Sequence, residues 1–347
     1  MLSLDLMYLL FLQGLRNAMG GALDEVFNSI SKFAVDILPI LPYLIFWCVD
    51  KSWGYRFITT LWSGEVVNGI LKLTVCAYRP WIRSDQIEPA GDSKVAATGY
   101  SFPSGHSMVA TTMYGTSAAM TKDSNRKLAI FCVIMILLTG FSRNFLGVHT
   151  PQDVFVGIFE SVFLIIVIGH IGEKIKGKES LIDKLTFAGI PILAAVLLYI
   201  IFKPYPMDYI DGKLLVDPQV MMNDTFSACG GFAGLLLGSF IERHRIHYEI
   251  PFWSQKLPIM SCIGGALIFA WMQLFAPATV YLWFGAHWGR FIGKMIPVLF
   301  ALTVYPKILR SVCGEKPAET ASFIRMPQEK AVARTKTASR KKMQKAA

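Results

Sequence analysis

The sequence predicts an all-α fold, a polytopic bundle of transmembrane helices with about nine spans and an N-terminal interfacial helix. Two observations carry this. Of 347 residues, 53% are apolar and only 17% charged, with a mean hydropathy of +0.45, a balance too apolar for an ordinary water-soluble domain. Apolar stretches also recur at close to the length, about 20 residues, that crosses a hydrocarbon core: residues 34–50, 57–77, 106–120, 127–143, 153–171, 185–202, 225–241, 257–276 and 288–308.

Residues 1–33 have no basic leading segment, and Asp5, Gln13, Arg16, Asp24 and Glu25 interrupt their apolar positions. They are expected as an amphipathic helix in the membrane interface and not as a cleaved signal. The spans fill 34–310, with a catalytic core at about 57–171. Lys and Arg crowd alternate loops, "TKDSNRK" and "GEKIKGKESLIDK" among them, and by the positive-inside tendency those loops are cytoplasmic. The loop "GYSFPSGHSM", the turn at His149 and the acidic stretch before residue 224 then face the outside or a lumen. The six cysteines are scattered, with neither CxxC nor paired spacing, which suits core packing better than a disulfide framework. Residues 311–347 are strongly basic without apolar periodicity, and are expected as a disordered cytoplasmic tail near anionic headgroups. Their basic residues come without interleaved aromatics, which argues against nucleic acid.

Charge inside a span costs about 2.5–3.5 kcal/mol at the helix centre, so such residues face the protein interior. Four places stand out. Glu65, Asn68 and Lys72 share a helix face, with Arg79 two turns further along it and Pro80 ending the helix. They form either a structural polar seam or part of a site. Pro103, Ser104 and Gly105 open an apolar run, so Ser104 is a helix N-cap or, with Gly105, part of an anion site at a helix N-terminus. Arg143 is a snorkelling cation or a planar fork for phosphate. Thr150, Pro151 and Asp153 form a capping box, and Asp153 also lies four residues after His149, within reach to orient its ring. His170, His244, His247 and His287 have no metal-ligand company and are expected to be structural.

Together these give three cations, a helix start, two histidines and one carboxylate, with no acidic cluster for Mg²⁺ or Ca²⁺. Neither a metal nor another cofactor is expected. Such a site suits a multiply charged anion, phosphate above all. One histidine can attack phosphorus while the other protonates the departing oxygen and later activates water; Asp153 makes His149 the better nucleophile and leaves His106 as acid and base.

Three motifs occur in order: "KLTVCAYRP" (72–80), "PSGH" (103–106) and "SRNFLGVHTPQD" (142–153). The set resembles the type-2 phosphatidate phosphatase superfamily, which includes vanadium-dependent haloperoxidases. The resemblance implies His149 as nucleophile, Asp153 as its orienting acid and His106 as general acid. It further implies Lys72, Arg79, Ser104, Gly105 and Arg143 as the phosphate-binding groups. The number of spans and the "GE..N...K" seam are similar to the glucose-6-phosphatase and sphingosine-1-phosphate phosphatase branch, and "ATGYSFPSGH" is similar to bacterial members too.

The function expected is an integral membrane phosphatase of a bacterial cell membrane, acting on the phosphate monoester or diphosphate of a lipid. Its site is extracytoplasmic and its C-terminus cytoplasmic. A sugar-phosphate phosphatase of the same mechanism is one alternative. A lipid transporter or scramblase explains the polar seam but leaves the two histidines without a role. A phosphate binder without turnover is opposed by His106, His149 and Asp153 all being present. Residues 99–102 are expected to shape the entrance.

Overall fold

The structure, a computed structural model, describes residues 3–314 apart from 98, 211, 252 and 253, together with the backbone alone of 95 and 96. Helix α1 (Leu4–Ala18) comes first, and α2 (Asp24–Lys32) runs through a π and a 3₁₀ turn into α3 (Leu41–Cys48). Next are α4 (Lys51–Val75), the short α5 (Pro80–Arg83) and α6 (Ser93–Ala96), then α7 (Gly105–Thr121), α8 (Arg126–Phe145), α9 (Pro151–Ile175) and α10 (Glu179–Phe202). A two-residue antiparallel pair, Tyr209 opposite Leu214 and Ile210 opposite Lys213, precedes α11 (Pro218–Ile241). The chain continues as α12 (Lys256–Ala270), a π-helical stretch Trp271–Val280, α13 (Tyr281–Phe284), α14 (Ala286–Leu302) and α15 (Val304–Cys313).

Among the described residues, seven continuous helices are long and apolar enough to cross a bilayer: Asp24–Cys48, Arg126–Phe145, Pro151–Ile175, Glu179–Phe202, Pro218–Ile246, Lys256–Phe284 and Ala286–Cys313. Large apolar side chains on them face outward, Phe155 68% and Leu282 80% exposed. Water would not tolerate so continuous an apolar surface, whereas lipid does. The chain is an integral membrane protein.

Seven such helices stand against the nine spans expected. The two that fall short are α4 and α7, which carry Glu65, Asn68 and Lys72, and Ser107, Thr111, Thr112 and Thr116, respectively. Both pack among other helices, α4 against α3, α7, α9 and α11 and α7 against α8 and α9. A helix enclosed by protein needs no lipid-compatible surface, so hydropathy understates it.

Residues 1–33, expected as one interfacial helix, hold α1 and the beginning of the helix Asp24–Cys48, so that first long helix starts ten residues earlier than its apolar run suggests. Asp36 and the Gly20–Gly21 turn blur the hydropathy there. Helix α1 is tied to later loops by Asp5 Oδ2, which accepts from Arg83 Nη1 at 2.7 Å, and by Arg16, whose Nη2 donates to Glu88 O at 2.5 Å. At the other end α15 extends to Cys313, and 315–347, most of the expected tail, lies outside the described residues. All six cysteines are free thiols.

The two ends of the bundle differ. One gathers Lys51, Arg56, Glu173, Asp183 and residues 242–248, the other Arg79, residues 99–104 and residues 143–153, each set joined by hydrogen bonds. At the first end Glu242 is fully buried and accepts from Lys51 Nζ (2.6 Å), Tyr55 Oη (2.8 Å) and the Tyr248 N–H (2.7 Å). Close by, Trp47 Nε1 donates to Ala301 O at 2.8 Å, and a cluster of Tyr43, Phe46, Trp47, Tyr248, Leu302 and Tyr305 fills the space between. The α3–α4 region is thereby joined to α11–α15. Glu242→Ala would strand these donors, which costs about 1–3 kcal/mol for an unsatisfied buried group. The detergent-solubilised variant is expected to melt several degrees below wild type; an unchanged midpoint would show that the Glu242 cluster does not hold the two parts together.

Candidate active site

Helix α4 begins at Asp50, whose side chain accepts from the Trp53 N–H at 2.8 Å, and ends at Cys76, which adopts a left-handed conformation (φ 52°). Sequence spacing placed Arg79 on the face that carries Lys72, with Pro80 as the stop. Instead the helix ends four residues earlier, and Arg79 is extended (ψ 153°) ahead of Pro80, as the residue before a proline prefers. That turn swings Arg79 back over the bundle end. Its Nε donates to Gly99 O (3.1 Å) and its Nη1 to Val148 O (3.0 Å), and Nη1 also lies 2.9 Å from His149 Nε2. Lys72 reaches the second motif: Nζ donates to Pro103 O at 2.8 Å and, more weakly, to Tyr100 O at 3.4 Å.

Ser104 caps α7. Its hydroxyl accepts from the Ser107 N–H at 3.3 Å, and its own N–H donates to Asp153 O at 2.9 Å. At the first two positions of the helix, the N–H groups of Gly105 and His106 have no acceptor one turn back. A Cβ on Gly105 would meet only Asn68 Oδ1, at 3.7 Å, so the front of the helix is open. Helix α9 crosses this start so closely that a Cβ on Gly157 would lie 2.6 Å from Ser104 O. Only glycine allows that approach, and it sets His106 beside the third motif.

There the capping box is present: Asp153 N–H donates to Thr150 Oγ1, and Thr150 N–H donates to Asp153 Oδ2 at 2.8 Å. The same Oδ2 accepts from Ser101 Oγ at 2.6 Å and faces His149 Nδ1 at 3.4 Å. Asp153 is therefore both the helix cap and the partner of the His149 ring. With Nδ1–H directed at the carboxylate, Nε2 keeps its lone pair, directed at Arg79 and the cavity. Burial, then the Arg79 cation, hold the His149 imidazole well below its usual range, with Asp153 pulling the other way. Burial brings the Arg79 guanidinium down to about 10, still cationic at neutral pH.

Arg143, at the end of α8, is 2% exposed. Its Nη1 donates to Ser31 Oγ at 2.8 Å, whereas Nε and Nη2 are buried without a partner among the described residues. Lys72, Arg79, Gly105, His106, Arg143 and His149 line one cavity of about 610 Å³. Ser104 and Asp153 are buried directly behind it. All eight residues singled out in the sequence thus meet at one end of the bundle. The other histidines do not join them: His244 contacts Asp183, and His287 lies between Asn223 and Gln219.

Sequence reasoning missed the supports. Ser101 and Tyr100 are buried, 1% and 0% exposed, so they hold Asp153 and Lys72 and do not shape an entrance. Asn144 fixes the turn by donating from Nδ2 to His149 O at 2.9 Å, and Ser31 anchors Arg143 from α2. Ser31 lies 112 residues from Arg143, beyond the reach of any local pattern. Asn144, next to Arg143 in a buried turn, was the findable one.

Compared with known families, residues 53–176 match the PAP2 superfamily. Phosphatidylglycerophosphatase B of Bacillus subtilis (strain 168) is 28% identical over 167 residues, which cover 44% of this chain and 77% of that protein. Undecaprenyl-diphosphatase of Sulfolobus acidocaldarius is 24% identical over 137 residues, covering 39% of this chain and 64% of its own length. No solved structure matches the chain. That matched segment, 53–176, contains all eight of the site residues singled out in the sequence.

Proposed function

We propose that this protein is a membrane phosphatase that hydrolyses the phosphate monoester or diphosphate of a lipid through a phosphohistidine, without a metal. The observation that carries the reading is Arg143: two guanidinium donors buried and unpartnered beside a histidine–aspartate pair. Stranded buried donors are costly, and a tetrahedral dianion would satisfy both at once. Lys72, Arg79 and the open N–H groups of Gly105 and His106, with Ser104 behind them, would take the remaining phosphoryl oxygens. Three fixed cations supply the charge stabilisation that a divalent ion gives elsewhere.

In this mechanism the phosphate draws Arg79 away from Nε2, and His149 attacks phosphorus through that lone pair. The bond to the leaving oxygen breaks as His106 donates its proton. His106, now neutral, takes a proton from water, whose oxygen attacks the phosphohistidine; phosphate leaves and His149 is regenerated. Asp153 holds the Nδ1 proton throughout.

A lipid is favoured by the cavity wall away from the cations, formed by Val35, Pro39 and Ile40 and by Ile268, Phe269 and Met272. The names of the two relatives, a phosphatidylglycerophosphatase and an undecaprenyl-diphosphatase, support the same class. With the basic loops at the opposite end, the site faces the extracytoplasmic side of a bacterial cell membrane and the C-terminus is cytoplasmic. We count α4 and α7 as the eighth and ninth spans. Helix α1, with Leu4, Phe11 and Leu15 exposed along one side, lies in the interface on the side of the site.

Purified protein in EDTA is expected to release phosphate from phosphatidate or a polyprenyl diphosphate, and His149→Ala to abolish release. His106→Ala should slow it by about 10² to 10⁴, least where the leaving group needs no proton. Full activity in His149→Ala would remove it as nucleophile, and a loss equal across leaving groups would remove His106 as acid.

The depressed His149 means that its neutral form persists below pH 6.5. After correction for the second ionisation of substrate phosphate, near about pH 6, the acid limb of kcat/KM is expected below pH 6.5. A limb at or above that value would contradict a buried, arginine-flanked nucleophile.

A further inference from the structure

The cavity continues past the phosphate position, and its continuation is charged. Glu65 lies seven residues before Lys72 on the same face of α4, about 10 Å away at 1.5 Å per residue. Asp224 of α11 and Arg290 and Lys294 of α14 line the same cavity from beyond the family segment. Arg290 and Lys294 are one turn apart on a single face. Helices α11 and α14 touch backbone to backbone: a Cβ on Gly230 would lie 2.0 Å from Phe291 O. That contact sets Asp224 Oδ1 3.9 Å from Arg290 Nη1, too far for a hydrogen bond. Among the described residues, Glu65 and Lys294 make no hydrogen bond.

Asp224 and Arg290 are 60% and 37% exposed and form only a loose ion pair, with Arg290 also over the Tyr281 ring, so these groups line the cavity with hydrogen-bonding capacity that a ligand can take up. We propose that Glu65, Asp224, Arg290 and Lys294 form a subsite for a hydroxyl-bearing leaving group, the part of the substrate esterified to the phosphate at His149. A bare hydrocarbon chain would cover these groups without satisfying them. Neighbouring hydroxyls donate to carboxylates and accept from cations, so they satisfy the set. The glycerol of a phospholipid headgroup and a free sugar phosphate share this chemistry. The inference rests on the phosphatase reading.

The test compares matched substrates on the full-length protein in detergent: phosphatidylglycerol phosphate against its 2-deoxy analogue, and a hexose 6-phosphate against hexyl phosphate. Wild type should prefer the hydroxylated member of one pair at least, and the pair in which it does so identifies the lipid or the soluble source. Asp224→Ala and Lys294→Met should each lower kcat/KM for that member by about 10- to 100-fold, as for the loss of a charged hydrogen bond. Their activity on the deoxygenated member should fall less than about threefold on the same grounds, which also reports that the variants are folded. Equal losses on both members, no loss on either, or a wild type indifferent to hydroxyls would overturn the subsite. Release from none of the four alongside release from phosphatidate or a polyprenyl diphosphate would overturn the subsite alone, and release from no substrate at all would overturn the phosphatase reading with it.

Discussion

The carboxylate of Asp153 is the joint on which this site depends. Through Oδ2 it meets Thr150 N–H, Ser101 Oγ and His149 Nδ1, and through its backbone carbonyl it meets Ser104 N–H. Four polar contacts therefore bind the loop before α7, the turn before α9 and His149 into one unit. The contacts are cheap because each belongs to an ordinary helix start: one box caps α9, and one serine caps α7. Removing the carboxylate would release the buried imidazole, Ser101 and the cap of α9 together, leaving only the backbone contact to Ser104.

Around that joint the charges are unbalanced. Lys72, Arg79 and Arg143 face the cavity, while Asp153 is committed to His149 and the two loops. Arg79 is partly occupied by carbonyls and by His149 Nε2, and Arg143 leaves two donors idle. On the proposed reading this set of charges suits a dianion, and the energy that an anion gains there is what a transition state can use. The helices beyond the family segment extend the same cavity with a charge-balanced region and an apolar wall.

Much of this was legible in the sequence wherever the signal was local. The cap Thr150–Pro151–Asp153, the serine at the start of α7 and the i, i+4 pair His149–Asp153 each lie within one turn, and the structure has them as spacing suggests. Arg79 lines the cavity but does not lie on the face of α4 that spacing suggests, because a left-handed Cys76 is invisible to a periodicity argument. The supports Ser31 and Ser101, and the meeting of Glu65 with Asp224, Arg290 and Lys294, depend on tertiary contacts that no local pattern encodes. The spans expected at 57–77 and 106–120 correspond to α4 and α7, the two that fall short of a lipid-facing helix because their polar residues pack against protein.

The most direct measurement is the structure of the protein with orthovanadate, which takes the trigonal-bipyramidal shape of phosphoryl transfer. Vanadium is expected within bonding distance of His149 Nε2, with Arg79 turned from that nitrogen and Arg143 Nε and Nη2 donating to equatorial oxygens. Vanadate bound elsewhere, or bound here with Arg143 still unpartnered and His149 still held by Arg79, would contradict the site as a phosphohistidine centre.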